Sequence, residues 1–220
     1  MPPQTLPLPM SIMGQQMIRS DFSVERLYNM IGYTYKREVE RKGCSFQKTE
    51  LIREQIMKIT KAIVGGQRCG LFMAGQVGNG KTTICKVLSQ IINHLVTNGY
   101  FGYGDKHPLD YCSALNAMEM VRIYMYLPGE FEDIKHRSWL IIDDLCNEPK
   151  EVTVYGTVCY PFLELLFYRY EHQLPTILVS NFNYSDVKNY YSDARAADRL
   201  EQMFYKITFR NKSFRQGQEQ

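Results

Sequence analysis

The sequence lacks the features that would place it in a membrane or in an oxidising compartment. No apolar run approaches the roughly 20 residues that a membrane-spanning helix needs. The N-terminal stretch MPPQTLPLPM has no basic segment followed by an apolar one, so it does not predict a signal peptide. The six cysteines form no CxxC pair and no Cys/His cluster with zinc spacing, and several lie in apolar runs where we expect buried thiols. We therefore expect a cytoplasmic protein with no membrane partner.

The net charge is also small. A net charge of +3 over 220 residues is too small to indicate nucleic-acid binding by itself. The charge is unevenly distributed, since residues 1–69 hold eleven Lys and Arg against six Asp and Glu. This basic part is either a solvated helix face or a contact surface for nucleic acid or a protein partner.

The composition is otherwise that of a globular protein, with 45% hydrophobic residues in a length that suits one large domain. Residues 1–20 are rich in Pro and Gln and are expected to be flexible. Helical spacing of apolar residues predicts helices over 22–42 and 47–64, so that 21–64 forms a basic helical segment. Residues 65–220 alternate short apolar runs with helical ones, which predicts an α/β domain.

Five nearly continuous apolar runs predict the strands of one parallel sheet, buried on both faces. They are CGLFMAG, YCSAL, SWLIIDDL, PTILVSN and YKITF, at residues 69–75, 111–115, 138–145, 175–181 and 205–209. Between and after the strands, helices are predicted at 81–96, from the second strand through Met125, at 157–172 and at 193–203.

The segment GQVGNGKTT joins the first strand to the helix that follows it, and it matches G-x-x-x-x-G-K-[ST] at every fixed position. Its glycines let backbone N–H groups wrap a phosphate, and the helix N-terminus adds the positive end of its dipole. Lys81 would reach the β- and γ-phosphates, and the Thr82 hydroxyl would coordinate Mg²⁺. We therefore predict a site for ATP and Mg²⁺ formed by Gly75, Gln76, Val77, Gly78, Asn79, Gly80, Lys81, Thr82 and Thr83.

Polar side chains end two other predicted strands. Asp143 and Asp144 follow the run WLII, where Asp143 would share the Mg²⁺ with Thr82 and Asp144 would orient or deprotonate the attacking water. The alternative is that this pair only caps the strand. Asn181 ends PTILVSN and is either a turn former or a group that places the water beside the γ-phosphate.

Three arginines are further candidates. Arg195 and Arg199, in SDARAADRL, lie on one helix face because they are four residues apart. One of them would stabilise charge on the nucleotide of a neighbouring subunit, as an arginine finger does, or both would form surface salt bridges. Arg215, in KSFR, is a weaker candidate for contacting the bound nucleotide.

The order of these motifs resembles that of the AAA+ ATPases of the DnaC/IstB type, which are bacterial helicase loaders and their transposition relatives. GQVGNGKTT is followed by WLIIDDL, LPTILVSNFN, ADRLEQMF and FRNKSFR, over roughly residues 68–215. The resemblance implies a P-loop NTPase core of the AAA+ type, with a five-stranded parallel sheet in the order 5-1-4-3-2, flanking helices and no large lid. It also implies that Asn181 is a sensor, Arg199 the finger acting in trans and Arg215 a second sensor.

The function implied by this resemblance is ATP hydrolysis coupled to loading a replicative helicase onto single-stranded DNA, by a protein that forms homo-oligomers when ATP is bound. Asp144 stands where many AAA+ proteins have Glu, so hydrolysis is expected to be slow, and Glu148 is an alternative for the same role. No cysteine-rich zinc module is evident in the N-terminal part, which leaves the helical segment 22–64 as the candidate for partner contact.

Other functions stay open at this point. The chain is alternatively an IstB-like ATPase whose partner is a transposase, or a nucleotide-binding adaptor with little hydrolysis. A nucleotide or small-molecule kinase is disfavoured because no arginine-rich lid follows the third strand. The aromatic cluster Tyr100-Phe101-Gly102-Tyr103 would either stack on bases or pack against the protein.

Overall fold

The computed structural model describes residues 11–12, 16–18, 22–65, 68–102 and 112–210, and these residues contain eight helices. Five helices begin after a Ser, Thr, Asn or Asp whose side chain accepts a backbone N–H three residues on, which is the usual N-cap. Two others have proline in their first turn. The helices are α1 (Val24–Arg41), α2 (Glu50–Ile63), α3 (Lys81–Thr97), α4 (Ala117–Tyr126), α5 (Pro128–His136), α6 (Pro161–Glu171), α7 (Tyr184–Tyr191) and α8 (Ala194–Met203).

Strands in the described residues form one large sheet and two small ones. They are β1 (Ser11–Ile12), β2 (Gln16–Ile18), β3 (Gly70–Gly75), β4 (Phe101–Gly102), β5 (Ser113–Asn116), β6 (Leu140–Leu145), β7 (Val152–Val154), β8 (Thr157–Cys159), β9 (Thr176–Ser180) and β10 (Phe204–Phe209).

The large sheet has the order β10-β3-β9-β6-β5, and every neighbouring pair in it is parallel. Counted along the chain within this sheet, the order is 5-1-4-3-2. The predicted fold class, an α/β protein with a five-stranded parallel sheet flanked by helices, is confirmed. The expectation that no large lid follows concerns residues after Arg210, which lie outside the described residues.

The detail that differs from prediction is the presence of short strands outside this sheet. Strands β1, β2 and β4 form a small antiparallel sheet, and β7 pairs with β8 as a hairpin. The predicted helix at 157–172 is therefore wrong at its start, because residues 157–159 belong to the hairpin. Helix α6 begins only at Pro161, whose fixed φ suits a first turn.

The sheet is buried on both faces, as the apolar runs indicated. Along β3, Leu71 and Met73 belong to one hydrophobic core, whereas Phe72 and Ala74 belong to another, because successive side chains point to opposite faces. Helices α1, α2 and α3 cover the first face, and α4 to α8 cover the second. The carboxyl ends of β3, β6 and β9 meet at one edge, which is where the predicted site residues lie.

The N-terminal helices share a core with the sheet. Leu27 and Ile31 of α1 and Ile56 and Ile59 of α2 are buried in the same cluster as the face of β3 that α3 covers. The division at residues 64 and 65 stays a prediction, and this packing argues that the helical segment and the sheet form one folding unit. The expectation of flexibility at 1–20 falls outside the described residues except for β1 and β2.

Four of the six cysteines are buried thiols, as expected: Cys69, Cys85, Cys112 and Cys146. Among the described helices, none combines the length and the hydropathy that crossing a lipid bilayer would require.

Candidate nucleotide-binding site

The loop between β3 and α3 has a backbone that requires glycine at several positions. Gly78 and Gly80 have φ of 84° and 94°, in the left-handed region that glycine adopts without strain. A Cβ added to Gly75 would meet the Asn79 amide nitrogen and would lie 2.5 Å from the carbonyl oxygen of Phe209. The loop is therefore a close-packed cradle rather than an ordinary turn.

Helix α3 begins without a side-chain cap. Its N-cap residue is Gly80, which has no side chain to accept the first N–H groups. A helix start of this kind presents its unpaired N–H groups, together with the positive end of the helix dipole, to an anion. This is the geometry that a phosphate group fits.

Lys81 is folded into the loop. Its ammonium group donates to the carbonyl oxygens of Gly75 at 2.6 Å and Gln76 at 2.7 Å, and to the side-chain oxygen of Asn79 at 3.1 Å. Burial lowers the pKa of Lys81, and the nearby carboxylates of Asp143 and Asp144 oppose that shift. The charge is thus held at the centre of the loop, beside the two acidic groups.

Thr82 and Asp143 are adjacent. The Thr82 hydroxyl hydrogen-bonds to the Asp143 carboxyl, and this bond partly offsets the burial that raises the Asp143 pKa. A hydroxyl and a carboxylate are oxygen ligands of the type that Mg²⁺ prefers, and Mg²⁺ usually completes its shell with water and phosphate oxygens. The residues present therefore fit a Mg²⁺ ion bound together with a nucleotide.

Asp144 and Asn181 form a second polar pair at the ends of neighbouring strands. The Asn181 amide nitrogen donates to an Asp144 carboxylate oxygen at 3.2 Å. Asp144 has φ of 57°, a left-handed conformation that aspartate tolerates better than most residues, and its N–H donates to the Asp143 carboxylate at 2.9 Å. The two consecutive aspartates consequently point in different directions, Asp143 to Thr82 and Asp144 to Asn181.

Glu148 lies away from the Asp144–Asn181 pair. It is 1% exposed and accepts a hydrogen bond from the Tyr191 hydroxyl, and its backbone carbonyl accepts one from Tyr190. It does not line the cavity described next. Glu148 is therefore a buried structural carboxyl, and the alternative that it shares the role of Asp144 is not supported.

A cavity of about 370 Å³ joins these groups. This volume falls within the range of roughly 300–1,000 Å³ typical of small-molecule sites. Its wall includes most of the predicted phosphate-binding loop and both members of the Asp144–Asn181 pair. The described residues that line it are Tyr35, Val39, Lys42, Cys44, Val77, Gly78, Asn79, Gly80, Lys81, Thr82, Thr83, Asp144, Asn147 and Asn181.

The candidate arginines lie outside this cavity. The Arg199 guanidinium pairs with Asp198 at 2.9 Å and lies 4.6 Å from the centre of the Tyr170 ring. Arg195 lies over the Phe167 ring at 5.5 Å. Both are on a surface formed by α6 and α8, so neither contacts the nucleotide site of its own chain. Arg215 lies outside the described residues, and all the assigned roles stay predictions.

Sequence reasoning missed the wall of the cavity that comes from α1 and the residues after it. Tyr35, Val39, Lys42 and Cys44 are far in sequence from the loop, and no local motif marks them. The only signal was that a basic helix precedes the loop, which indicated a partner surface instead.

The comparisons with known proteins agree on the fold. No family model and no curated protein matches the sequence. Among solved structures, AMPPCP-bound DnaA from Aquifex aeolicus is 16% identical with a TM-score of 0.52, covering 90% of this chain and 53% of its own. A candidate primosome component of Streptococcus pyogenes serotype M3 is 15% identical with a TM-score of 0.50, covering 89% and 85%.

A third structure is a replication initiator DnaA bound to AMPPCP and single-stranded DNA, which is 17% identical with a TM-score of 0.50, covering 83% of this chain and 51% of its own. At these identities the likeness is one of fold. The chain has the fold of an AAA+ P-loop ATPase domain.

Proposed function

We propose that this protein is a cytoplasmic AAA+ ATPase of the DnaC type that binds single-stranded DNA and loads a replicative helicase onto it. The observation that carries the proposal is the convergence of Lys81, Thr82, Asp143, Asp144 and Asn181 on one edge of the sheet, beside a cavity of suitable size. The AMPPCP bound in two DnaA structures of similar fold supports a nucleotide as the ligand.

Each group has a role that follows from its position. The Lys81 ammonium would leave the loop carbonyls to contact the β- and γ-phosphates, and the α3 N-terminus would bind phosphate oxygens. Bound Mg²⁺ would supply positive charge that offsets the charge developing on the phosphates. Thr82 and Asp143 would hold that ion.

Asp144 would accept the proton of the attacking water while the bond between the γ-phosphorus and the bridging oxygen breaks. Asn181 donates a 3.2 Å hydrogen bond to Asp144, which would hold that carboxylate in place, and its amide would help to position the same water. A carboxylate one methylene shorter than glutamate reaches less far into the cavity, so we expect turnover to be slow.

The position of Arg199 supports an oligomer, and a structure of similar fold suggests a partner. Arg199 is not among the described residues that line the cavity, so if Arg199 acts on a γ-phosphate, that phosphate would belong to a neighbouring subunit. Single-stranded DNA is suggested by the DNA-bound DnaA of similar fold. The exposed face of α1 and α2 is the candidate helicase contact.

The test is ATP binding and turnover by the purified chain, with and without single-stranded DNA. We expect turnover that DNA stimulates, and we expect Lys81→Ala to lose ATP affinity while keeping its melting temperature. The matched control is Lys36→Ala, because Lys36 is an exposed lysine that pairs with Glu40 and does not line the cavity. ATP binding without turnover would favour the adaptor, and phosphoryl transfer to a nucleoside monophosphate would favour a kinase.

The partner is tested by co-purification from the native cell in the presence of ATP, with Lys81→Ala as the matched bait. Recovery of a replicative helicase by the unaltered chain alone would support the proposal. Recovery of a transposase would support the IstB-like alternative instead.

A further inference from the structure

The cavity has a second wall that the proposed chemistry does not use. Tyr35 and Val39 of α1, with Lys42 and Cys44 just after it, line the cavity together with the residues contributed by the loop and the strand ends. These groups are not local to the loop, so their presence in the cavity needs its own explanation.

Tyr35 has a buried hydroxyl with no hydrogen-bond partner. The residue is 3% exposed, and its ring packs edge-on against Phe46 with 5.7 Å between centroids. Burial raises the pKa of Tyr35 to about 12, so the hydroxyl keeps its proton at neutral pH. A buried polar group without a partner is destabilising, and one that lines a polar cavity indicates a ligand.

Lys42 places a positive charge on the α1 side of the loop. Its ammonium group donates to the Thr83 hydroxyl at 2.9 Å. Consecutive helical residues point about 100° apart, so Thr82 faces Asp143 while Thr83 faces α1. The Asp144 carboxylate and the Lys42 ammonium therefore belong to different parts of the cavity wall, Asp144 beside Asn181 and Lys42 beside Thr83.

Helix α1 is fixed against α3, so these groups have defined positions. The buried carboxyl of Glu38 lies 3.5 Å from the Lys86 ammonium and 3.4 Å from the Gln90 amide nitrogen, both on α3. Arg41 pairs with the same carboxylate at 3.0 Å. A helix held in this way presents Tyr35 and Lys42 to the cavity in a preorganised arrangement.

We propose that Tyr35 and Lys42 bind the nucleoside monophosphate part of the nucleotide. Lys42 contacts the phosphate attached to the ribose, and the Tyr35 hydroxyl hydrogen-bonds to a polar atom of the nucleoside. The orientation of the nucleotide in the cavity follows from the proposed chemistry, because a γ-phosphate beside Asp144 leaves the nucleoside on the side of the cavity formed by α1. The inference rests on the proposed function, since it takes ATP as the ligand.

The first experiment replaces Tyr35 with Phe and uses Tyr33→Phe as the control, because Tyr33 is on the same helix and 66% exposed. Removing an unpartnered hydroxyl should leave the melting temperature unchanged or raise it, while ATP and ADP affinity falls by roughly 2- to 12-fold. The control should change neither quantity. Unchanged affinity in Tyr35→Phe would overturn the assignment of Tyr35.

The second experiment compares Lys42→Met with Lys36→Met by competition of ATP, ADP and adenosine against a fluorescent ATP analogue. Lys36 is on α1 and pairs with Glu40 in solvent. We expect Lys42→Met to weaken ATP and ADP by a similar factor, about tenfold or more, with adenosine unchanged. Loss of ATP affinity alone would put Lys42 at the γ-phosphate and overturn the placement, as would equal affinities in the two variants.

Lys81→Ala separates the two proposals. If the unaltered chain binds ATP and Lys81→Ala does not, equal affinities of Lys42→Met and Lys36→Met contradict only the inference about α1. If the unaltered chain binds no ATP, both proposals fail.

Discussion

At the residue scale, Asp144 combines a left-handed backbone with a hydrogen bond from Asn181. Asn in its place tolerates the same φ and keeps an oxygen for Asn181, but it cannot accept a proton. We expect Asp144→Asn to lower ATP turnover by about 100-fold or more while ATP binding is retained. Single-turnover hydrolysis measures this, with the exposed Asp186→Asn as control. Undiminished turnover would show that Asp144 is not the base.

Glu148 gives a pH-dependent prediction. Burial raises the pKa of its carboxyl above the unfolded value, so ionisation costs stability, and the cost is complete only above the folded pKa. The contribution of this carboxyl to the free energy of unfolding should therefore fall as pH rises above its unfolded pKa of about 4, and Glu148→Gln should lack this part of the pH dependence. The advantage of Gln over Glu should grow with pH in urea titrations.

The control for that titration is the exposed Glu171→Gln, which should follow the unaltered chain at every pH. Parallel curves for Glu148→Gln and the unaltered chain would contradict the assignment of Glu148 as a buried acid.

At the scale of elements, the hairpin of β7 and β8 has an unusual turn. Val154 pairs with Thr157, so Tyr155 and Gly156 form a two-residue turn with φ of 49° and 82°, as in type I′. Tyr155 is fully exposed, and Asn is strongly preferred at its position. We expect Tyr155→Asn to raise the free energy of unfolding by about 1 kcal/mol in urea denaturation.

The comparison that isolates the backbone effect is Tyr155→Ala, which removes the ring without improving the left-handed conformation. If Ala stabilises the chain as much as Asn does, the gain comes from the ring and the turn argument is wrong.

The elements that could be predicted are those whose signal is local. The five core strands are apolar because both of their faces are buried, and the loop motif fixes where α3 begins. The hairpin was missed because Tyr155-Gly156 lacks the usual Asn-Gly signal, and α5 because its sequence PGEFEDIKH has few apolar residues. Tyr35 and Lys42 could not be predicted, since only tertiary packing brings α1 to the loop.

At the scale of the whole molecule, the position of Arg199 has a consequence for assembly. Its guanidinium is held by Asp198 and the Tyr170 ring on a surface away from the cavity. If it acts across an interface, Arg199→Ala and Asp144→Asn should each have low turnover, and mixing them should restore part of it. Some interfaces would then combine an intact arginine with an intact aspartate.

The measurement compares the ATP turnover of the mixture with that of each variant alone. A parallel series in which Arg195→Ala replaces Arg199→Ala decides which of the two arginines acts. If no ratio of the two variants recovers turnover, the role in trans loses its support.

The buried side-chain amide of Asn79 donates a hydrogen bond to the Phe209 carbonyl oxygen at 3.0 Å, and Gly75 packs against the same residue. The phosphate loop is therefore anchored to the last strand of the sheet, where the chain continues into the segment that carries Arg215. We therefore expect any change in the shape of the loop on nucleotide exchange to displace the end of that strand as well.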